Sequence, residues 1–324
     1  MGLWDRIFRT KAESWHFAQI SPDGPGYPGS VEIDPEAYYV NAFVTSMHIA
    51  NVRVATKKFY GVVNSFISLP SRNGQIIEYG SVSTPSFLKD VDSENLDRVV
   101  SLNRRALGPV PYRGGDMAME IGLFSIPSVD LLEPYLGLVE DISNLAGVAT
   151  GATPLVAIMN SALRGLLGSS DAAQLEIGVA ATFSPPRTGY FCTVGASRED
   201  PAMENLSLAQ DGRLVRPDGK EVAEPYLVFQ VSSSKRRDDW ASIPDLKNSY
   251  EAIRAAAARG DLQDARSSLQ LLRRIATLCP DLLSEDGLRL HSLVAGEVER
   301  AFPPTQTSAG THEMADLADL PLFG

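Results

Sequence analysis

Asp90, Asp92 and Glu94 alternate in the run DVDSE. Carboxylates spaced in this way can ligate calcium, because a hard cation collects several oxygens from one loop. The glycine and the distal bidentate glutamate of an EF-hand are missing, and Asp92 has simpler work as a helix cap. The histidines are His16, His48, His291 and His312. None pairs with another at metal-ligand spacing, and no HExxH occurs. Cys192 and Cys279 stand far apart, without a CxxC neighbour. They read as two small buried hydrophobes in a reducing compartment. An activated thiol would need a partner histidine, and Cys192 sits in an alternating apolar run instead. There is no GxSxG elbow, no GxxxxGK[ST] and no strand-linked GxGxxG.

Cations offer a second kind of chemistry. Arg113, in the glycine-rich loop GPVPYRGGD, is a candidate anion contact. Lys235-Arg236-Arg237 is another basic run, but Asp238 and Asp239 follow at once and would pair with it in a solvated, charged turn. No catalytic residue, cofactor or metal ligand is therefore expected, and the expectation is a non-enzymatic protein.

Charge narrows the partners. The 324 residues carry 29 Lys and Arg against 40 Asp and Glu, a net charge of −11. Nucleic-acid binding wants clustered positive charge, so nucleic acid is not expected as the main partner. Hydrophobic content of 44% and charged content of 21% are ordinary for a globular chain with a sizeable core.

The elements that would position any site fall into three stretches. Met117, Met119, Ile121 and Leu123 alternate with small or polar residues, and so do Leu175, Ile177, Val179, Ala181 and Phe183. Period-2 patterning predicts strands with one face buried. Between them, two helices are expected over about 130–168, the second capped by Thr153 with Pro154 at its first position. Tyr38–Leu69, Ile76–Val82, Tyr190–Val194 and Tyr226–Val231 also read as strands, rich in Val, Tyr, Phe and Thr. Asp92–Gly108 reads as a helix with Leu96, Val99, Val100 and Leu107 as its stripe. Asp211-Gly212 and Asp218-Gly219 are hairpin signals.

After Ser249 the composition shifts to Ala, Leu, Arg and Glu. Tyr250, Ile253 and Ala257 make one helical stripe; Leu262, Ala265, Leu269, Leu272 and Ile275 make a second. After Pro280, Ser284 can cap a third helix. The Gly260-Asp261 turn with Ala265 resembles the turn of a single tetratricopeptide repeat. No second copy follows, so the resemblance implies only an antiparallel helical hairpin.

The termini carry the remaining candidates. Leu3, Trp4, Ile7 and Phe8 share one side of an expected helix over Gly2–Phe17, with Asp5, Arg6, Arg9 and Lys11 largely opposite. Such a helix docks on the protein's own body or lies on an anionic membrane surface. No uninterrupted apolar stretch marks a secretory signal, and Arg6 stands where myristoylation wants Ser or Thr. Residues 303–324 lack Lys and Arg and are expected to be disordered. Their end, ADLADLPLF, sets Leu317, Leu320, Leu322 and Phe323 among aspartates, as a motif that orders on a partner would.

Ile142–Leu163 is uncharged and long enough to cross a bilayer. Gly147, Gly151 and Pro154 interrupt it, and several Ser, Thr and Asn residues dilute it. Burial over a sheet face is the simpler fate.

The expected fold is α+β. It comprises an amphipathic helix over 1–20, a Pro/Gly linker over 21–30, and a β-sandwich-like domain over 31–240 with the two-helix insertion. A helical hairpin or small bundle over 241–302 and an acidic tail over 303–324 complete it. The expected function is protein–protein interaction, as an adaptor or scaffold in a cytoplasmic multi-protein system. The alternative is a membrane-associating or pore-forming effector that uses the N-terminal helix and the 142–163 hairpin.

Overall fold

A computed structural model describes residues 15–22, 29–49, 53–54, 57–58, 60–83, 100–126, 174–197, 200–237 and 239–303. The chain divides into two compact units. A β-rich unit holds Met1–Pro35, Val40–Gly108 and Tyr112–Ser233. A helical unit holds Glu36–Tyr39, Pro109–Pro111 and Ser234–Gly324. The described residues are of mixed α+β class, with sheets of seven and four strands and three α-helices.

The strands are β1 (Trp15–Pro22), β2 (Tyr39–His48), β3 (Arg53–Val54), β4 (Lys57–Lys58), β5 (Tyr60–Pro70), β6 (Ile76–Ser83), β7 (Val100–Pro111), β8 (Met117–Ile126), β9 (Gln174–Phe183), β10 (Gly189–Ser197), β11 (Ser207–Leu208), β12 (Leu214–Val215) and β13 (Tyr226–Ser234). The larger sheet runs β12-β11-β1-β10-β13-β2-β7 and the smaller β6-β5-β8-β9, while β3 and β4 pair only with each other. In the smaller sheet β8 is antiparallel to both β5 and β9, so Ile121 faces Ser65 on one side and Val179 on the other. Met117, Met119, Ile121 and Leu123 are buried, as their alternation predicts.

Contacts between β9 and β10 join the sheets within the β-rich unit. Phe183 meets Phe191 edge-on at 5.0 Å, and Thr193 Oγ1 donates to the Gly178 carbonyl at 3.0 Å. The opposite face of β10 and β13 carries Cys192, Val194, Tyr226 and Val228. It is covered by Met203, Leu206, Leu208, Leu214 and Val222. A sheet buried on both faces reads as a continuous apolar run, which is why β13 is YLVFQV rather than an alternation. Gly212, at φ +86°, makes the β11–β12 turn that its Asp-Gly pair predicts.

Three expectations are corrected here. Residues 15–22 form strand β1, not the end of a helix and the start of a linker. Phe17 stacks on Phe191 at 6.0 Å and on Phe229 at 6.3 Å, while Ala18 and Ile20 pack against the other apolar cluster. That two-sided burial holds Trp15–Ile20 extended. Residues 100–111 form strand β7, not the second half of a helix. Gly108 there lies at φ +95°, and a Cβ on it would stand 2.3 Å from the Val40 carbonyl oxygen. Close approach between neighbouring strands uses a glycine that sequence reading takes for a helix stop. β7 is an edge strand, which is where a sheet tolerates Pro109 and Pro111. Ser284, expected as a cap, stands one residue inside its helix behind Leu283. The expected helices over 130–168 lie outside the described residues, as do Asp90, Asp92 and Glu94.

The helical unit is built from α1 (Pro244–Ala258), α2 (Leu262–Leu278) and α3 (Ser284–Ala301). Pro244 opens α1 at a position where the missing N–H costs nothing. Asp261 caps α2 by accepting from the Asp264 N–H at 3.0 Å. Tyr250, Ile253, Leu272, Leu290 and Val294 meet in one core with Trp240. Gly287 lets α3 lie against α2: a Cβ there would be 2.8 Å from the Ala276 carbonyl oxygen.

Candidate functional site

Two places in the helical unit have enough organisation to be considered. The first is a buried polar cluster around Asp286, which is 2% exposed. Its Oδ2 accepts from the Tyr39 hydroxyl at 2.9 Å and from the Arg237 N–H at 2.8 Å. Its Oδ1 accepts from Arg289 Nε at 3.0 Å and Nη2 at 2.8 Å. The Tyr39 oxygen itself accepts from the Leu283 N–H at 2.9 Å. Burial, and then the Asp286 charge, push the Tyr39 phenol far above the ordinary tyrosine range, so it stays a neutral donor.

The arginines are tied as tightly. Arg237 donates to Asp239 Oδ1 at 2.6 Å, to the Asp281 carbonyl at 3.1 Å and to the Pro109 carbonyl at 3.3 Å. Arg289 lies 4.6 Å over the Trp240 ring. Lys235 and Arg236 form an exposed bend, as their composition suggests, but Arg237 does not stay in solvent. Asp239 does pair with Arg237, but the guanidinium is only 11% exposed and holds three segments of the chain together. Both Asp286 oxygens are doubly bonded to donors within the protein, which leaves no lone pair directed at a substrate. The cluster is a brace that fixes the start of α3.

The second place is the outward face of α2. Ala265, Leu269, Leu272 and Ala276 point into the core. Leu271 and Leu278, seven residues apart and hence on one face, point away and are 53% and 75% exposed. Arg274 lies between them on the same face, with Ser267 and Gln270 beside it, all exposed or half-buried. Arg266 and Arg273 are exposed too, but stand about 140° and 160° round the helix from Leu271. Arg273 is close enough to α3 that its charge, added to burial, holds the His291 imidazole below its usual range. The one acid of α2, Asp264, pairs with Arg259 at 2.6 Å. Three arginines against one aspartate make α2 a basic helix in an acidic chain.

Arg113 is half-buried in the loop after β7, where the Tyr112 hydroxyl donates to the Gly115 carbonyl at 2.7 Å. Leu3, Trp4, Ile7, Phe8, Leu317, Leu320, Leu322 and Phe323 lie outside the described residues, as does the 142–163 stretch. Among the described residues no helix is long and apolar enough to cross a membrane, and no group of His, Cys, Asp and Glu side chains could hold a metal ion. Cys192 and Cys279 are both free thiols; burial pushes Cys192 up to about 12 and also raises Cys279. Sequence reading missed the α2 face. The signal was present, since Leu271 and Leu278 fall off the Leu262–Ile275 stripe, but an exposed leucine has no mark of its own in sequence. The chain matches no family model, and no curated protein or solved structure is significantly similar to it.

Proposed function

We propose that this chain is a protein–protein interaction component, an adaptor or scaffold, and that it meets its partners on the outward face of α2. One observation carries the reading: two large leucines, each more than half exposed, sit on one helical face with an arginine between them. Single exposed apolar residues are ordinary, but an aligned pair on a basic helix is what an amphipathic acidic partner would recognise. The closed Asp286 cluster supports the same reading, because it fixes the start of α3, on which α2 packs, and offers no open chemistry. The β-rich unit is a sandwich-like support in this scheme, which the Phe183–Phe191 and Thr193–Gly178 contacts favour. Two free thiols suit a reducing, intracellular compartment.

The test is capture of binding partners by the full chain and by a Leu271→Glu/Leu278→Glu variant. Both substitutions are at exposed sites, so the far-UV circular dichroism should be unchanged. Partners should be lost from the variant by about tenfold or more, the size of a loss of ~1.4 kcal/mol. Equal recovery of the same partners by both proteins would refute the assignment to α2.

A further inference from the structure

The tail of this chain has the composition that the α2 face asks for. From Pro303 onward there is no Lys or Arg. Glu313, Asp316 and Asp319 recur every third residue, and Met314, Leu317 and Leu320 follow each of them directly. An acidic row beside an apolar row matches a strip that sets Leu271 and Leu278 beside Arg274.

Reach is sufficient. α2 and α3 pack on each other and are joined by only five residues, 279–283, so they run antiparallel. The end of α3 at Ala301 therefore lies beside the start of α2. Nine residues, 304–312, rich in Thr, Ser, Gly and Pro connect Pro303 to Glu313. A flexible chain of that length spans roughly 18 Å on average, and α2 itself is about 25 Å long. A segment tethered so near has an effective concentration in the millimolar range, so weak complementarity is enough to seat it.

We infer that residues 313–323 of this chain dock in cis on the Leu271–Arg274–Leu278 face of α2 and cover it until a partner displaces them. The inference rests on the reading of that face as the interaction surface and names its resident occupant. Leu317 and Leu320 contact Leu271 and Leu278, and the carboxylates lie beside Arg274.

The test uses the full chain with Cys279→Ser, carrying Gln270→Cys and Ala318→Cys. Disulfide formation between the two under mild oxidation is compared with a chain carrying Glu251→Cys and Ala318→Cys, since Glu251 is exposed on α1. Mixing isotope-labelled and unlabelled chains separates links within one chain from links between copies. The 270–318 link should form within one chain at least about tenfold faster than the 251–318 link, given the tether common to both. Adding Leu317→Asp and Leu320→Asp, which leaves α2 untouched, should bring it down to the control rate.

Equal rates for the two pairs would overturn the docking. A fast link found only between labelled and unlabelled chains would overturn it too, in favour of a second copy as occupant. In either case the capture experiment with Leu271→Glu/Leu278→Glu judges the α2 reading separately. Loss of partners there, with no cis link here, retains the surface and removes the tail from it.

Discussion

Asp286 has four donors around two oxygens, supplied by three residues: Tyr39, Arg237 and Arg289. Removing it takes the carboxylate from the Arg237 N–H and leaves the Arg289 guanidinium, whose side chain is only 19% exposed, without this counter-charge. Asp286→Ala should therefore destabilise the helical unit by about 3–5 kcal/mol, the usual cost of leaving one half of a buried ion pair. Tyr39→Phe should cost less, roughly 1–3 kcal/mol, because it deletes one donor and leaves only the Leu283 N–H unanswered. Urea unfolding followed by circular dichroism reads both, and an Asp286→Ala midpoint equal to wild type would contradict the brace. Nothing of this cluster was legible in the sequence. Tyr39, Arg237 and Asp286 are spread over more than 240 positions, and burial alone turns Arg237 from a surface charge into an anchor.

At the scale of elements, the strands that alternate were legible and those pinned from both sides were not. β8 and β9 announce themselves because each buries a single row against the sheet. β1 and β7 do not. β1 is held extended by apolar groups on its two faces, and β7 carries a glycine and two prolines that sequence reading assigns to a helix end and a loop. The first two helices were legible from their apolar stripes, yet the packing of α3 on α2 turns on Gly287, which no stripe reveals. Gly287→Ala should push α3 off the Ala276 carbonyl and destabilise the helical unit by about 1–3 kcal/mol, although alanine is the better helix former. The comparison is Gly296→Ala, on the same helix with open space around it. That change should be neutral or slightly stabilising, and a matching loss at both positions would show that crowding at Gly287 is not the cause.

For the molecule as a whole, composition excluded more than it assigned. A net charge of −11 hides a helix whose exposed side is basic and apolar, and only the structure separates the leucines of α2 that face the core from the two that do not. The function proposed here stands on that separation. Its most direct trial is a photo-activatable phenylalanine analogue placed at Gln270, on the α2 face, and in a parallel chain at Glu251 on α1, with both proteins irradiated in the cell extract. Discrete adducts at 270, to another polypeptide or to residues 313–323 of the same chain, with none at 251, are the expected result. Adducts of equal yield at the two positions, or none at 270, would contradict an interaction surface on α2.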